Sequence, residues 1–191
     1  MNRKEKARMD SVLRKIEREA TTGDRFLPIV GPEKGRFYYL AAKASGVRSV
    51  LELGTLIGYS ALLFYKALDG KGRITTVEYE KDNLEEAEAN FAAAGMKGIE
   101  TIRGDALKVV KKLAAEGRRF DVIFLDIEKN EYVEIFDNCI RLLRKGGLLL
   151  VDNALWDTPD LKAFRKMLAQ SKKAESVIIP IGDGIAMSVK R

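Results

Sequence analysis

Polar residues stand at the ends of several apolar runs in this sequence, and together their side chains could bind a ligand. Each run has the length and composition of a buried strand. In an open parallel sheet the carboxyl ends of the strands face one crevice, where ligands bind near the point at which strand order reverses. An ordinary strand-end charge explains any one of these positions, but it explains the whole set poorly. The positions are Glu52, Gly54, Glu78, Asp105, Asp126, Asp152 and Asn153.

The first three runs carry the part of the set that suits a nucleoside. An acid that ends the second strand can accept hydrogen bonds from both ribose hydroxyls, and Glu78 stands there. Gly54 and Gly58 are four residues apart, and the chain has no G-x-G-x-x-G motif for a pyrophosphate. This pattern disfavours a dehydrogenase and favours a sulfonium nucleoside without phosphates. Glu52 is either a hydrogen-bond acceptor for the ligand or an ordinary strand-end charge.

The fourth and fifth runs end in oxygen donors that suit a hard metal ion. Asp126, Asp152 and Asn153 offer two carboxylates and an amide carbonyl, which leave about three octahedral positions of Mg²⁺ open for an acceptor with adjacent oxygens. Lys129 lies three residues after Asp126. It is either a base for an acceptor hydroxyl or an ordinary solvated lysine at the start of a helix. The chain has no histidine, which excludes Ser-His-Asp and Cys-His catalysis and disfavours a zinc site.

Alternating strand and helix patterns predict the fold that positions these residues. Five strands, each followed by a helix, imply right-handed crossovers and a mostly parallel sheet covered on both faces. Two more strands, 176–181 and 185–190, are joined by a Gly-Asp-Gly turn that is too short for a crossover, so they form an antiparallel hairpin. We therefore expect an α/β fold with a Rossmann-like, doubly wound, seven-stranded sheet. The other predicted elements are strands 49–53, 73–78, 99–103, 120–126 and 148–152, and helices 3–20, 33–45, 59–68, 81–94, 106–116, 131–143 and 159–170.

The composition fits one domain with a sizeable core. The chain has 191 residues, of which 46% are apolar, and no apolar run approaches the roughly 18 residues of a membrane span. The charged N-terminus does not resemble a signal peptide, and the single cysteine cannot form an internal disulfide, so a cytoplasmic protein is expected. The net charge of +6 would suit an anionic partner such as RNA, although a solubilising surface is the simpler explanation.

Six runs of the sequence resemble the class I, S-adenosylmethionine-dependent O-methyltransferases of the catechol and caffeoyl-CoA type. They occur in order and cover nearly the whole chain from Gly31 onward. The D-x-x-K of the fourth run, followed by the D-N of the fifth, is a fairly specific combination. The runs are LELGTLIGYSA (51–61), ITTVEYE (74–80), GDAL (104–107), FDVIFLDIEKNEY (120–132), GGLLLVDNALW (146–156) and IPIGDGIAMS (179–188).

This resemblance implies a role for each residue of the set. Asp126, Asp152 and Asn153 would bind the metal ion, and Lys129 would be the catalytic base. Trp156 stands where the family has an aromatic residue near the substrate; a buried anchor is the alternative interpretation. The contacts to S-adenosylmethionine would come from Glu52, Gly54, Gly58, Ser60, Glu78, Asp105 and Asp126.

The predicted function is Mg²⁺-dependent methyl transfer from S-adenosylmethionine to a hydroxyl of a small, catechol-like acceptor. One alternative is methylation of a nucleoside hydroxyl in transfer RNA, which the basic N-terminal helix favours. Another is a non-catalytic protein that binds S-adenosylmethionine. Residues 1–30 are predicted to form an N-terminal helix and loop that build the acceptor site or a homodimer contact, ahead of a methyltransferase domain at 31–191.

Overall fold

A computed structural model describes residues 1–191 of the chain. None of its helices combines the length and the apolar character needed to cross a bilayer. The strands are β1 (Ser49–Leu53), β2 (Arg73–Glu78), β3 (Ile99–Arg103), β4 (Phe120–Leu125), β5 (Leu143–Val151), β6 (Ala174–Ile179) and β7 (Ile185–Lys190). The helices are α1 (Arg3–Thr22), α2 (Gly31–Ala44), α3 (Tyr59–Ala67), α4 (Lys81–Ala94), α5 (Ala106–Ala115), α6 (Tyr132–Leu142) and α7 (Pro159–Gln170), with a 3₁₀ turn at Lys129–Glu131.

The seven strands pair in the order β3-β2-β1-β4-β5-β7-β6. Strands β1 to β5 are parallel, whereas β7 runs antiparallel to both of its neighbours. The chain moves outward from β1 to β3, returns to β4 beside β1 and ends in a hairpin, which confirms the predicted doubly wound sheet. Strand order reverses between β1 and β4, so the carboxyl ends of these two strands open the ligand crevice.

Several element boundaries differ from the sequence prediction by one to five residues, and three of these differences have a clear structural basis or consequence. Helix α2 begins at Gly31, because Pro32 is accepted in the first helical turn, where its missing N–H has no helical partner to lose. Strand β5 begins at Leu143, five residues before the predicted start. Its pairing with β4 contains a register shift between Phe120 and Val122, which accommodates the additional residues of β5. Strand β6 ends at Ile179, so five residues rather than three connect the hairpin.

Two apolar clusters pack on opposite faces of the sheet, as the alternation of strand side chains requires. In β1, Val50 joins the cluster beneath α1 to α4, whereas Leu51 joins the one beneath α5 to α7. Helix α1 belongs to the first cluster, where Met9 and Ile16 are fully buried. The domain itself therefore covers the apolar face of the N-terminal helix, and this face is not available to a second copy of the chain.

A fully buried carboxyl lies in β1, on the same face as Val50. Glu52 accepts hydrogen bonds from the Ser60 hydroxyl of α3 and the Thr76 hydroxyl of β2, each at 2.5 Å. Burial outweighs these hydrogen bonds and raises the pKa of Glu52 to about 8. The carboxyl is therefore mostly protonated at neutral pH and links β1 to α3 and β2.

Glu52 should make the protein less stable as the pH rises from about 5 to 8. The unfolded carboxyl ionises near pH 4.5, whereas the folded one holds its proton up to about pH 8. The folded state binds more protons in this window, so its free energy of unfolding falls with pH, at a limiting slope of about 1.4 kcal/mol per pH unit. In urea unfolding at several pH values, Glu52→Gln should remove this contribution and exceed the wild type in stability at pH 8.

The matched control is Glu85→Gln, which neutralises an exposed carboxylate on α4 and should keep the wild-type slope. A Glu52→Gln variant with that same slope would contradict the assignment of a buried, protonated Glu52.

Candidate active site

One cavity opens at the carboxyl edge of the sheet, above the point where strand order reverses. It has a volume of about 1040 Å³ and is lined by 23 residues. The structure brings most of the predicted site residues together there, on the loops that follow β1 to β5. The cavity is lined by Gly54, Glu78, Asp105, Asp126, Lys129, Asp152, Asn153 and Trp156.

Three predicted cofactor residues do not line this cavity, namely Glu52, Gly58 and Ser60. Glu52 and Ser60 are hydrogen-bonded to each other below it. Gly58 precedes α3 with a φ of +87°, and a Cβ added there would collide with the ring of Phe91. Glu52 and Ser60 connect α3 to β1, whereas Gly58 allows the start of α3 to approach α4. Direct contact of these residues with S-adenosylmethionine stays a prediction.

Gly54 connects the two halves of the site. Its φ is +96°, and an added Cβ would collide with the carbonyl oxygen of Asp126. The Gly54 amide donates to Val77 O at 3.0 Å, and the Asp126 amide donates to Leu53 O at 2.9 Å. Only glycine combines this dihedral angle with such a close approach, so Gly54 fixes how near the ends of β1 and β4 lie.

Two fixed carboxylates face the cavity from the side formed by β2 and β3. The oxygens of Glu78 accept hydrogen bonds from the backbone amides of Leu56, at 2.7 Å, and Glu80, at 3.0 Å. Asp105 caps α5 by accepting from the Lys108 amide at 3.1 Å. Because each carboxylate oxygen has two lone pairs, both groups can still accept hydrogen bonds from a ligand.

Lys129 lies inside the cavity at the end of β4. Its Nζ donates to Asp126 Oδ1 at 2.7 Å and to Ile127 O at 2.9 Å. It also lies 5.6 Å from the centre of the Trp156 ring, and the Lys129 side chain is only 19% exposed. This position does not support the interpretation of Lys129 as a solvated helix-start residue.

Asp152, at the end of β5, has both of its oxygens occupied. The Tyr38 hydroxyl donates to Oδ1 and the Lys34 ammonium donates to Oδ2, each at 2.7 Å. Burial, together with the charge of Asp126, raises the pKa of Asp152 against the opposing effects of Lys34 and Tyr38. Burial likewise disfavours the charge of Lys34, but its hydrogen bonds to Asp152 and Asp183 outweigh burial and raise the Lys34 pKa.

Asp183 is a site residue that the sequence pattern indicates only as part of the Gly-Asp-Gly turn. Its Oδ1 accepts from Lys34 Nζ at 2.6 Å, and its Oδ2 accepts from Asn153 Nδ2 at 2.6 Å and Trp156 Nε1 at 3.0 Å. Burial opposes ionisation of Asp183, but these three donors lower its pKa. A signal was present, because an antiparallel last strand brings the turn before it to the carboxyl edge of β5.

The donor types at the ends of β4 and β5 fit a hard divalent cation. Asp126 and Asp152 contribute carboxylates, and the hydrogen bond from the Asn153 amide nitrogen to Asp183 leaves the Asn153 amide oxygen free. No three carboxylate, cysteine or histidine side chains come together as a metal-binding group, so a metal site here would need the Asn153 amide oxygen as its third ligand.

The cavity is acidic although the chain as a whole is basic. Only two of the lining residues are cationic, Lys34 and Lys129, whereas eight carry a carboxylate. A cavity of this charge attracts a cationic ligand and repels an anionic one. The carboxylates belong to Glu78, Glu80, Asp105, Asp126, Glu128, Glu131, Asp152 and Asp183.

Comparison with known proteins identifies the family. The family model described as O-methyltransferase matches residues 4–191. A catechol O-methyltransferase from Niastella koreensis is 33% identical over 179 residues, which cover 84% of this chain and 81% of that protein. Caffeoyl-CoA O-methyltransferase 1 from Eucalyptus globulus is 30% identical over 176 residues, which cover 81% of this chain and 72% of that protein.

Solved structures agree with this assignment. The O-methyltransferase TomG from Streptomyces achromogenes, crystallised in complex with SAM, superposes with a TM-score of 0.85 at 28% identity, over 95% of this chain and 90% of that one. An O-methyltransferase from Bacillus cereus in complex with SAH shares the fold, with a TM-score of 0.83 at 24% identity, over 97% of this chain and 91% of that one. The chain therefore belongs to the S-adenosylmethionine-dependent O-methyltransferases of the catechol and caffeoyl-CoA type.

Proposed function

We propose that this O-methyltransferase uses a hard divalent cation, Mg²⁺ in the first instance, to methylate a hydroxyl of a small, catechol-like acceptor. One observation carries the proposal. The carboxylates that follow β2 and β3 share a single cavity with the oxygen donors and the lysine that follow β4 and β5. The first set suits the nucleoside of the methyl donor, and the second suits an acceptor with adjacent oxygens.

The nucleoside of S-adenosylmethionine is assigned to the side of the cavity formed by β1 to β3. Glu78 is the acceptor for the ribose hydroxyls, because two backbone amides fix its carboxylate at the end of the second strand. The acidic lining offsets the positive charge of the sulfonium. The donor supplies an already activated methyl group, so the main task of the protein is to hold the two reactants in line.

Asp126, Asp152 and Asn153 are the residues that would hold the cation. Their two carboxylates and one amide oxygen match the ligand preference of Mg²⁺. When bound, the cation supplies positive charge that orients an acceptor bearing two adjacent oxygens. The related catechol and caffeoyl-CoA O-methyltransferases, by their names, support an acceptor of this kind.

Lys129 is the proposed general base. Asp126 and the Ile127 carbonyl hold its Nζ at the mouth of the predicted cation site. From there the side chain, once it has lost its own proton, can take the proton of the acceptor hydroxyl as the oxygen attacks the methyl carbon. Asp126 thus has two tasks, since it belongs to the predicted cation ligands and also fixes the base.

Trp156 and Phe26 line the outer part of the cavity and would contact the acceptor. Trp156, 45% exposed, is hydrogen-bonded to Asp183, and Phe26 is 87% exposed. Tyr79, 68% exposed, follows β2 and lies on the nucleoside side. Phe26 belongs to the segment 1–30, which also contributes Pro28 and Ile29 to the lining. These contacts support the proposed acceptor-site role of the N-terminal segment; a dimer would have to use a surface other than the buried face of α1.

The two alternatives have less support. A transfer RNA acceptor would bring phosphates toward a cavity with eight carboxylates, which is electrostatically unfavourable despite the basic surface of the chain. A non-catalytic binding protein would have no use for a lysine fixed beside intact oxygen donors. Both alternatives are nevertheless distinguished from the proposal by the following assay.

Transfer of a labelled methyl group from S-adenosylmethionine to caffeic acid tests the proposal. We expect transfer with Mg²⁺, loss of transfer with EDTA, and recovery when Mg²⁺ is added in excess. Transfer that is insensitive to EDTA would contradict the metal dependence. A protein that binds S-adenosylmethionine but leaves caffeic acid unmethylated would contradict the acceptor class, and unmodified transfer RNA would then be tested in the same assay.

Lys129→Met should lower kcat by about 100-fold or more, the usual contribution of a general base. Binding of S-adenosylmethionine, measured by calorimetry, should change little, because Lys129 lies on the acceptor side of the cavity. The matched control is Lys112→Met, which removes an exposed lysine of α5 and should leave kcat unchanged. A Lys129→Met enzyme with wild-type kcat would rule out the assigned role.

A further inference from the structure

Lys34 is a buried cation at the site that neither the motifs nor the proposed reaction uses. It belongs to the first turn of α2, and its ammonium lies between Asp152 Oδ2, at 2.7 Å, and Asp183 Oδ1, at 2.6 Å. These two carboxylates come from the end of β5 and from the turn before β7. A single ammonium therefore joins three segments that are far apart in the sequence.

The packing of α2 directs Lys34 into the cavity. The next residue, Gly35, lies so close to α3 that an added Cβ would be 2.6 Å from Leu63 Cδ1. The close approach of the two helices leaves the neighbouring lysine pointing toward the end of the sheet. Its aliphatic stem passes Gly182, where an added Cβ would be 3.7 Å from Lys34 Cδ. The side chain is buried as a whole, with only 11% of its surface exposed.

This position conflicts with full coordination of a cation by Asp152. One oxygen of Asp152 accepts the Tyr38 hydroxyl and the other accepts the Lys34 ammonium. A divalent ion that ligates Asp152 must share Oδ1 with the Tyr38 hydroxyl, or share Oδ2 with the ammonium or displace it from there. In either position one small carboxylate holds both the ion and the ammonium. Two cations of total charge +3 repel each other strongly at that distance, in a cavity where water screens them only partly.

Asp183 can hold the Lys34 ammonium without Asp152. Its Oδ1 is already 2.6 Å from Nζ, and Asp183 is fixed by Asn153 and Trp156 on its other oxygen. We propose that the Lys34 ammonium competes with the divalent ion for Asp152. Without the ion it binds both Asp152 and Asp183, and when the ion binds it keeps only its contact with Asp183. This inference rests on the proposed metal site, and it makes Lys34 the residue that sets the affinity of that site.

Mn²⁺ binding tests the inference without reference to activity. The free ion is followed by electron paramagnetic resonance while it is titrated into the full-length protein with SAH present. The test variants are Lys34→Gln and Lys34→Met, of which the second keeps the apolar stem in case the first unfolds. The matched control is Lys43→Gln, which removes a lysine from the exposed end of the same helix, where its ammonium donates to the Tyr39 hydroxyl.

The Kd for Mn²⁺ should fall at least about tenfold in both Lys34 variants, which corresponds to about 1.4 kcal/mol, and should stay at the wild-type value in the control. Adding Asp152→Asn to either variant should abolish the gain, because the ion then loses its ligand. If Mn²⁺ binding were detectable in the Lys34 variants but not in the wild type, Lys34 would exclude the ion almost completely, which would support the inference most strongly.

Two results would overturn it. An equal or higher Kd in the Lys34 variants, still dependent on Asp152, would leave the metal site intact but make Lys34 a positioning residue. No Mn²⁺ binding in any variant, with methyl transfer that resists EDTA, would remove the metal site and the competition together.

Discussion

Negative charge gathered at one edge of the sheet is the constraint on which this structure depends. Asp152 and Asp183 meet at the ammonium group of Lys34, and Asp126 binds the ammonium group of Lys129 in the same cavity. Buried carboxylates are costly unless donors or cations compensate them. Every buried side-chain nitrogen and oxygen has a hydrogen-bond partner, but the raised pKa of Asp152 shows that its donors only partly offset burial and the charge of Asp126. Under the proposed function, a divalent cation would displace Lys34 from Asp152, and the acceptor hydroxyl would lie beside Lys129.

The topology produces this gathering of charge. Parallel strands β1 to β5 end at one edge, and the antiparallel β7 adds the turn that precedes it to the same edge. Gly54 lets the loop after β1 touch the loop after β4, so the two sides of the cavity form one space. The methyl donor and acceptor can then lie in line, which is the requirement that a transfer from an activated methyl group places on the protein.

The sequence predicted the strand-end residues well, because the carboxyl ends of parallel strands must share an edge whatever the details of packing. The orientation of Glu52 could also have been read from the alternation of β1, since it shares its face with Val50 and points beneath α3. Predicting Asp183 as a site residue requires one more inference, because the start of an antiparallel strand, rather than its end, lies at the site. The position of Lys34 could not be predicted from the sequence, because the direction of its side chain depends on how closely α2 packs against α3 at Gly35.

The location of a divalent ion tests this account most directly. Crystals grown with Mn²⁺ and SAH would give the ion's position by anomalous scattering. The account predicts a single strong peak bounded by Asp126, Asp152 and Asn153, with the Lys34 ammonium shifted from Asp152 to Asp183. A peak at another place, or none while Lys34 still joins the two carboxylates, would contradict it.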